Sequence, residues 1–403
     1  MAALDTILRT GCLAAALALS AAVAERAMDR SWMSIAGLHR TTSTQTIATG
    51  LILSSDAADD LGPNRDALLS RLAAAGVVVR IVDDRLGAAD AAESLSSDRR
   101  VDLLVAACDS AERASIDAVA RRYGVPCVSI LPTVPLSAAD ATVDLGGTPN
   151  QRIAPAVAWA ARALGRRIAV VTVDAPMARV TRRIAASRLA AEGAEAVADV
   201  VLGAASGDAE VAEAVARLHA SSPDAILLDL PAPLASRVLA SLRGRPGRAS
   251  LTPCVHCSVD VRRLLASIGA AAAGDYIAGQ AALGDDRADG RPLGDRLEAV
   301  VVGVKAALCL AAPLDGGRDA SRARAALRAA RSRCGPTPLL VDPVANAAWM
   351  SAALARIDAA GKARSVIATE PLRPARSYEG LGEAAWVAVA QGDDAPTLEA
   401  NHE

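Results

Sequence analysis

The sequence predicts an α/β fold built from two doubly wound lobes. Apolar runs of strand length alternate with helical patterns along most of the chain, which is typical of parallel sheets covered by helices on both faces. The chain has 403 residues, more than one ordinary hydrophobic core accommodates. A segment with paired glycines at 145–151 also separates two series of strand–helix units of similar size. The length and this division together predict two lobes.

The first series of units begins after residue 46. Its strands are continuous apolar runs, and Pro63 introduces the first of its helices. The short loops between the units favour βα repetition and hence a parallel sheet. We predict strands at 47–53, 77–82, 101–106 and 125–130, and helices at 64–75 and 111–122.

The same pattern restarts after residue 150. We predict helices at 151–164, 177–192, 208–220, 233–242 and 259–268, and strands at 167–173, 195–202, 224–230 and 252–256. Further elements follow, namely a strand at 276–283, helices near 296–311 and 319–333, and strands at 338–341 and 365–368. These additions indicate that the chain crosses between the lobes more than once.

The predicted domain boundaries follow from these elements. Lobe 1 takes residues 47–148 and 276–335, and lobe 2 takes residues 149–275 and 336–380. Residues 381–403 are left as a C-terminal tail. Residues 25–46 are polar, rich in Thr and Ser and without sustained periodicity, so we expect a linker there.

The first 24 residues have the pattern of a secretory signal peptide. Arg9 precedes the apolar run 11–20, and Ala22–Ala24 supplies small residues at a cleavage position. Export to the periplasm is therefore expected. The run is too short and too rich in alanine to predict a membrane span.

Two alternatives to a signal peptide stay open. Asp5 lies where the signal pattern prefers positive charge, so the segment also fits an Ala-rich amphipathic helix. Translation from Met28 or Met33 would instead remove the segment and keep the protein in the cytoplasm.

Composition excludes several classes of function. Phe is absent, with four Trp and three Tyr, so the stacking surfaces of single-stranded nucleic-acid binders are lacking. A net charge of −2 provides no strongly basic field, and we expect no direct nucleic-acid binding. The one basic segment, with arginines from Arg322 to Arg333, fits a solvated helix face better than a docking surface.

The cysteines do not indicate a disulfide scaffold, because seven in this length are few and odd in number. The segment Cys254-Val255-His256-Cys257 offers soft metal ligands, but no second Cys/His pair stands at zinc-site spacing. Buried thiols explain the segment as well, and we expect no metal. Cys108 and Cys127 end neighbouring predicted strands, which leaves a disulfide between them open.

Motifs for catalysis are missing from the sequence. It contains no Gly-Lys-Ser/Thr phosphate loop and no Gly-x-Ser-x-Gly elbow. The first strand is followed by Ser54-Ser55-Asp56, where a dinucleotide-binding protein carries glycines. The four histidines fall in no catalytic pattern. We therefore expect a protein that is not an enzyme and uses no cofactor.

Polar residues after the predicted strands are candidates for contact with a ligand. In open parallel sheets, ligands bind beyond the carboxyl ends of the strands. Ser and Asp at such places also serve as ordinary helix caps and turn residues, and the sequence leaves both explanations open. The candidates are Asp109, Ser110, Ser129, Thr133, Asp174 and Asp229.

Several short motifs resemble those of the type I periplasmic solute-binding proteins. They are Gly146-Gly147-Thr148-Pro149-Asn150-Gln151 leading into Ala154-Pro155, the stretch from Leu164 to Asp174, Gly274-Asp275-Tyr276, and Glu370-Pro371-Leu372-Arg373-Pro374. Within that family they are most similar to the branch of amide and urea transporter binding proteins and amidase-operon sensors. The resemblance runs from about Gly50 to about Arg373. It implies two Rossmann-like lobes joined by three crossings, with a small ligand held in the cleft between them.

The resemblance also implies which positions contact the ligand. Ser110, Ser129 and Leu131 match the family's loops after the third and fourth strands. A segment of the family that lines the cleft, Asp-Tyr-x-Tyr, matches Asp174, Ala175 and Met177. Together with Asp229, these six residues form the predicted ligand-binding set.

Aromatic residues are missing where the family has them. Ala175 and Met177 stand at positions of tyrosines, and Ala281 and Ala282 stand where a Tyr or Phe pair is usual. Loss of those rings enlarges the pocket and removes hydroxyl donors. We therefore expect a ligand bulkier or more apolar than urea, or loss of binding.

Three functions are compared on this basis. An exported solute-binding protein closes over a small amide, urea or amino acid and delivers it to an ABC permease. A cytoplasmic amide sensor controls a regulatory partner protein and releases it when the ligand binds. An enzyme on this scaffold has no catalytic group of residues to support it.

Overall fold

The computed structural model describes residues 48–55, 58, 65–74, 77–83, 86–97, 101–108, 110–131, 142–257, 265, 267, 269–280, 331–332, 339–342, 346–361 and 363–368. All of them belong to one compact unit, Ile47–Glu403. The predicted signal peptide, linker and tail lie outside the described residues, as do Asp109, Thr133, Ala281, Ala282 and the basic segment up to Arg328.

The described elements alternate between strands and helices over most of the chain. In chain order they are β1 (Thr49–Leu53), α1 (Arg65–Ala74), β2 (Val77–Ile81), α2 (Ala88–Ser96), β3 (Leu103–Ala107), α3 (Ser110–Tyr123), β4 (Cys127–Ser129), β5 (Thr142–Asp144), α4 (Pro149–Ala163), β6 (Arg167–Val173), α5 (Pro176–Ala191), β7 (Glu195–Leu202), α6 (Asp208–Ser221), β8 (Ala225–Asp229), α7 (Ala232–Gly244), β9 (Cys254–His256), β10 (Tyr276–Gln280), β11 (Arg331–Ser332), β12 (Leu339–Asp342), β13 (Ala347–Ala348), β14 (Ala352–Ile357) and β15 (Ala363–Ala368).

The strands form two sheets, which confirms the predicted two-lobed α/β fold. The first sheet has the order β11-β12-β13-β5-β4-β3-β1-β2, and the second has the order β15-β14-β10-β9-β8-β6-β7. The central strands of both are parallel, as the continuous apolar runs predict. The late strands differ from that expectation: β12 pairs antiparallel with β13, and β14 pairs antiparallel with β10 and β15.

The membership of the late strands corrects part of the predicted domain assignment. Residues 276–335 are predicted for lobe 1, but β10 pairs with β9 and β14 in the second sheet. Residues 336–380 are predicted for lobe 2, but β12 and β13 join β5 in the first sheet. The choice of sheet depends on pairing between strands far apart in sequence, which a local apolar pattern does not encode.

Some elements are absent from the sequence-based prediction. α2 has four Ala together with Asp90 and Glu93, and β5 and β14 are too short or too interrupted to form an apolar run. The predicted helix at 319–333 is wrong at its end, because Arg331–Ser332 pairs as β11 with β12. The rest of that helix, the predicted helix at 296–311 and most of the one at 259–268 lie outside the described residues.

Each face of the second sheet carries its own hydrophobic core. On one face, Ile168, Val170 and Leu227 pack with α4 and α5, and on the other, Val171, Ile226 and Leu228 pack with α6 and α7. In the first sheet, Ile52, Leu104 and Cys127 pack with α2 and α3. Alternate residues of the second-sheet strands therefore face opposite helical layers. None of the helices among these residues is long and apolar enough to cross a membrane.

Cys108 and Cys127 are not joined by a disulfide, which answers the question left open by the sequence. Both are buried, but Cys127 is aligned with Leu104 on the neighbouring strand β3. Cys108 follows four residues later along that strand, so about 13 Å of strand separates the two levels. A disulfide requires Cα atoms within about 7 Å of each other.

The first crossing between the sheets is short and well anchored. The chain leaves β5 at Asp144 and enters α4 at Pro149. Gln151 Oε1 accepts the Thr148 N–H at 2.8 Å, as in a capping box, and Gly147 has a φ of 74°, which favours glycine. Because α4 packs on one face of the second sheet and its end leads directly into the start of β6, the start of α4 lies towards the carboxyl edge of that sheet.

Candidate functional site

The carboxyl edges of the two sheets meet the first crossing and form the candidate site. β5 ends there in the first sheet, and α4 begins there in the second lobe. Parallel sheets offer loops and helix N-termini at this edge, where ligands of open α/β folds bind. The polar side chains at this edge are therefore the candidates for contact with a ligand.

In the first lobe, a buried ion pair lies beside an unpartnered serine. Ser129 ends β4, is fully buried and is aligned with Asp144 on β5. Arg113 Nη1 lies 3.4 Å from Asp144 Oδ2, and Asp144 Oδ1 accepts the Gly146 N–H at 3.1 Å. Asp144 thus anchors the crossing. Ser129 Oγ has no hydrogen-bond partner among the described residues, so it is available to a ligand.

In the second lobe, polar residues of two strands and two helices come together. Thr172 on β6 is aligned with Asp229 on β8, and both follow the alternation that faces α4 and α5. Arg152 lies in the second turn of α4 and Thr181 in the second turn of α5. Arg152 is only 4% exposed, Thr172 and Thr181 are fully buried, and Asp229 is half-buried.

The charge on Asp229 is the electrostatic centre of this group. Burial raises the pKa of its carboxyl, while the Arg152 guanidinium and then the Thr181 hydroxyl act in the opposite direction. The Thr181 hydroxyl favours the ionised form of the Asp229 carboxyl. However, Thr181 Oγ1 forms no hydrogen bond with good distance and angle to any described residue. On the other side, burial followed by the Asp229 charge raises the pKa of the Cys257 thiol. Cys257 is therefore a neutral thiol and not a nucleophile.

The predicted first-lobe residues lie at the expected edge. Ser110 is the first residue of α3, directly after β3. Ser129 ends β4, and Leu131 follows it, 7% exposed. Whether Ser110 and Leu131 contact a ligand stays a prediction, whereas Ser129 has the added property of a free hydroxyl.

The predicted second-lobe residues differ in their surroundings. Asp174 follows β6 with 64% of its side chain exposed, and its Oδ1 accepts from Arg179 Nη1 at 2.9 Å. Ala175 is the N-cap of α5, and Met177 in the first turn packs partly against the core under α4 and α5. Asp229 ends β8 and has the unpartnered atom Oδ2. Of these four, Asp229 is the one that meets further buried polar groups.

Three residues of the second-lobe group are absent from the sequence-based prediction. Thr172 is the only polar side chain between Ile168 and Val173, which is the signal that could have identified it. Arg152 directly follows the Asn150-Gln151 motif. Thr181 gives no signal in the sequence. Only the register of β6 with β8 and the packing of α4 and α5 bring the three residues to Asp229.

The segment Cys254-Val255-His256-Cys257 does not gather metal ligands. Cys254 packs under α6 and α7, whereas Cys257 packs on the opposite face under α4 and α5. His256 Nε2 lies 3.5 Å from Asp275 Oδ2, and Asp275 Oδ1 accepts from Arg243 Nη2 at 2.6 Å and from the Cys254 N–H at 2.9 Å. Within the described part of the chain, no three His, Cys, Asp or Glu residues form a metal-binding group.

Comparison with known proteins finds one family. The sequence profile of the periplasmic binding protein family matches residues 83–367, well over half of the chain. No protein of curated function matches the chain.

Solved structures share the fold at low sequence identity. A solute-binding protein of an ABC transporter from Rhodopseudomonas palustris, in complex with 3,4-dihydroxybenzoic acid, is 17% identical with a TM-score of 0.64, over 81% of this chain and 98% of that one. A Leu-, Ile-, Val-, Thr- and Ala-binding protein from Brucella ovis in its closed conformation is 14% identical with a TM-score of 0.65, over 82% and 97%. An ABC transporter substrate-binding protein from Sphaerobacter thermophilus is 18% identical with a TM-score of 0.64, over 82% and 100%.

Proposed function

This chain belongs to the periplasmic binding protein family, and we propose on that premise that it is the solute-binding protein of an ABC-type transporter. In this role it traps a small ligand between its lobes by hinge closure and presents the closed form to a membrane permease. Binding without chemical conversion agrees with the lack of a catalytic motif in the sequence.

One observation carries the proposal. Buried polar atoms without partners lie at the carboxyl edges of both sheets, Ser129 Oγ in the first lobe and Asp229 Oδ2 in the second. Buried polar groups in folded proteins are nearly always hydrogen-bonded, so such atoms mark places that a ligand or water completes. The two edges are joined by the short crossing from Asp144 to Pro149, which allows both to contact one ligand.

Similar solved structures and one sequence motif indicate which class of ligand to expect. Among the similar solved structures, two are complexes with 3,4-dihydroxybenzoic acid or benzoate, and one is a Leu-, Ile-, Val-, Thr- and Ala-binding protein. The motif Gly146–Gln151 resembles instead the amide and urea branch. We therefore propose a small organic molecule of amide, urea or amino-acid type as the ligand.

Export to the periplasm is part of the proposal. It is supported by the family and by the signal-like pattern around Arg9 and Ala22–Ala24. The alternative is a cytoplasmic amide sensor that controls a protein partner, because the Gly146–Gln151 motif is shared with the amidase-operon sensor. Fractionation of cells that express the full chain distinguishes the two, since an exported protein is released with the periplasmic contents.

Binding is tested by thermal denaturation of the purified protein against urea, aliphatic amides, benzoates and aliphatic amino acids. A ligand of the native state raises the melting temperature with its concentration. Ser129→Ala is expected to weaken binding without lowering the melting temperature of the ligand-free protein, because Ser129 Oγ has no partner to lose. Ser94→Ala in α2 is the matched control, since its hydroxyl bonds the local Ala91 carbonyl at 2.8 Å. If no compound shifts the melting temperature, solute binding is rejected.

A further inference from the structure

Four buried atoms without hydrogen-bond partners converge in the second lobe. They are Arg152 Nη1, Asp229 Oδ2, Thr172 Oγ1 and Thr181 Oγ1. Each unpartnered buried polar atom costs about 1–3 kcal/mol, so four of them in one place are unusual for a structural core. They belong to two strands and two helices that pack on one face of the second sheet.

Arg152 and Asp229 act on each other without touching. The start of α4 and the end of β8 lie on the same face of the second sheet. Burial raises the pKa of the Asp229 carboxyl, and the Arg152 charge acts in the opposite direction. Yet Arg152 Nη1 has no hydrogen-bond partner among the described residues. In the first lobe, by contrast, Arg113 and Asp144 are in contact at 3.4 Å. The second-lobe pair therefore leaves one buried donor and one buried acceptor without a bond to each other.

The free atoms match the bonding capacity of one amide group. A primary amide has a carbonyl oxygen that accepts two hydrogen bonds and an NH2 group that donates two. Arg152 Nη1 and one threonine hydroxyl supply two donors, while Asp229 Oδ2 and the other threonine hydroxyl supply two acceptors. A neutral amide therefore completes all four atoms and adds no charge to a buried site.

A carboxylate of the same shape fits less well. One of its oxygens would bond Arg152, but the other would face Asp229 Oδ2 with no proton between them, and like charges at short distance repel. A zwitterion satisfies both charges, but its three ammonium protons and its second carboxylate oxygen exceed the partners that the four atoms provide. The arrangement therefore favours the neutral amide over both.

We propose that Arg152, Thr172, Thr181 and Asp229 form a subsite for the carboxamide or urea group of the ligand and that this subsite rejects carboxylates. The carbonyl oxygen accepts from Arg152, and the NH2 group donates to Asp229. This inference rests on the proposed function, because it assumes that the carboxyl edge of the second lobe binds the solute. In this arrangement the second lobe binds the amide or urea group of the ligand, and the first lobe contacts the remainder of the molecule.

Titration calorimetry with matched pairs tests the subsite: benzamide against benzoate and acetamide against acetate, with the full chain. The amide is expected to bind at least about tenfold more tightly than its carboxylate, from roughly 1.4 kcal/mol or more of charge repulsion and lost bonding. Asp229→Asn is expected to abolish this ratio, because the repelling charge is removed. Asp199→Asn, which changes an exposed carboxylate of β7 paired with Arg182, is the control and is expected to preserve it.

A second variant, Thr181→Val, tests the subsite independently in case Asp229→Asn does not fold. Thr181→Val keeps the shape of the buried side chain and removes only Oγ1, and it is expected to weaken amide binding about fivefold or more. The inference is overturned if either carboxylate binds the native protein more tightly than its amide, or if both variants leave the ratio and the amide affinity unchanged. Those outcomes still show solute binding, whereas the lack of any shift in melting temperature with the wider panel of the proposed function rejects that function itself.

Discussion

The side-chain amide of Gln151 joins two of the crossings between the lobes. Gln151 Nε2 donates to the carbonyl oxygen of Ala348 at 2.9 Å, and its Oε1 accepts the Thr148 N–H at 2.8 Å. Thr148 lies in the first crossing, and Ala348 ends β13 just before the third crossing leads to β14. The side chain is fully buried, so both bonds are shielded from water. The two crossings are therefore held together at a fixed distance beside the candidate site.

Gln151→Ala is expected to destabilise the protein. The substitution removes the buried hydrogen bonds of this side chain with the Ala348 carbonyl oxygen, the Thr148 N–H and the Thr148 hydroxyl. We expect a loss of about 2–4 kcal/mol in the free energy of unfolding. Guanidinium denaturation measures it, since urea is itself a candidate ligand. Arg162→Ala, which removes an exposed ion pair with Glu192, is expected to cost less than about 1 kcal/mol, and an equal loss in both variants would contradict the role of Gln151.

Asp229→Asn is expected to stabilise the ligand-free protein at neutral pH. The pKa of the Asp229 carboxyl is raised in the folded state, so its ionised form is less favourable there than in the unfolded chain. The resulting cost is present above the folded pKa and disappears as the pH falls through that pKa towards the ordinary value of 3.8. Asparagine resembles the protonated form at every pH.

The measurement is the melting temperature of both proteins as a function of pH. The advantage of the asparagine variant is expected to be largest at neutral pH and to vanish in acid. A variant that is less stable than the native protein at neutral pH would show that Asp229 stabilises the lobe through Arg152, which contradicts the direction of the pKa shift.

Asp275→Ala is expected to unfold part of the second lobe or destabilise it strongly. Asp275 is 1% exposed and holds Arg243 Nη2 at 2.6 Å together with the Cys254 N–H at 2.9 Å. Removing one partner of a buried ion pair leaves the other charge uncompensated, which costs about 3–5 kcal/mol. Guanidinium denaturation monitored by circular dichroism measures this loss. Asp199→Ala, at an exposed ion pair, is expected to change stability by less than about 1 kcal/mol, and a comparable effect of the two would refute the prediction.

The buried thiols are expected to resist alkylation in the native protein. Burial raises the pKa of Cys127 to about 12 and raises the pKa values of Cys254 and Cys257 as well. Only the thiolate reacts, so these cysteines are protected both by low ionisation and by burial. Peptide mapping after iodoacetamide treatment at pH 8 should find them unmodified until the chain is denatured. Rapid labelling of Cys127 under native conditions, or a disulfide between Cys127 and Cys108, would contradict the structure.

Most elements of the fold could be predicted because their signal is local. The apolar runs at β1, β6 and β8 and the helical spacing of α4 and α5 are properties of consecutive residues. The sheet in which β10, β12 and β13 lie could not be predicted in this way. Each of them gains its hydrogen bonds from strands distant in sequence, and an apolar pattern does not specify a partner.

Part of the candidate site could also be predicted from local sequence, and part could not. Ser129 and Asp229 could be predicted because they end strands, and the carboxyl ends of parallel strands are where ligands bind. The same rule also selected Asp174, whose side chain is exposed and paired with Arg179. Position in the sequence does not distinguish these cases. Burial and the lack of a partner do, and both are properties of the packed structure.

The sequence by itself determined the two-lobed α/β fold, the crossing at 145–151 and the family to which the chain is similar, because periodicity and short motifs are carried by neighbouring residues. Only the tertiary structure decided that Arg152, Thr172 and Thr181 surround Asp229. These residues are up to 77 positions from Asp229 in the sequence. They meet because β6 pairs with β8 in one register and because α4 and α5 pack on the same face of the sheet. This packing also decides which donor and acceptor atoms are left without partners. A local stretch of sequence does not show that, because the partners come from distant parts of the chain.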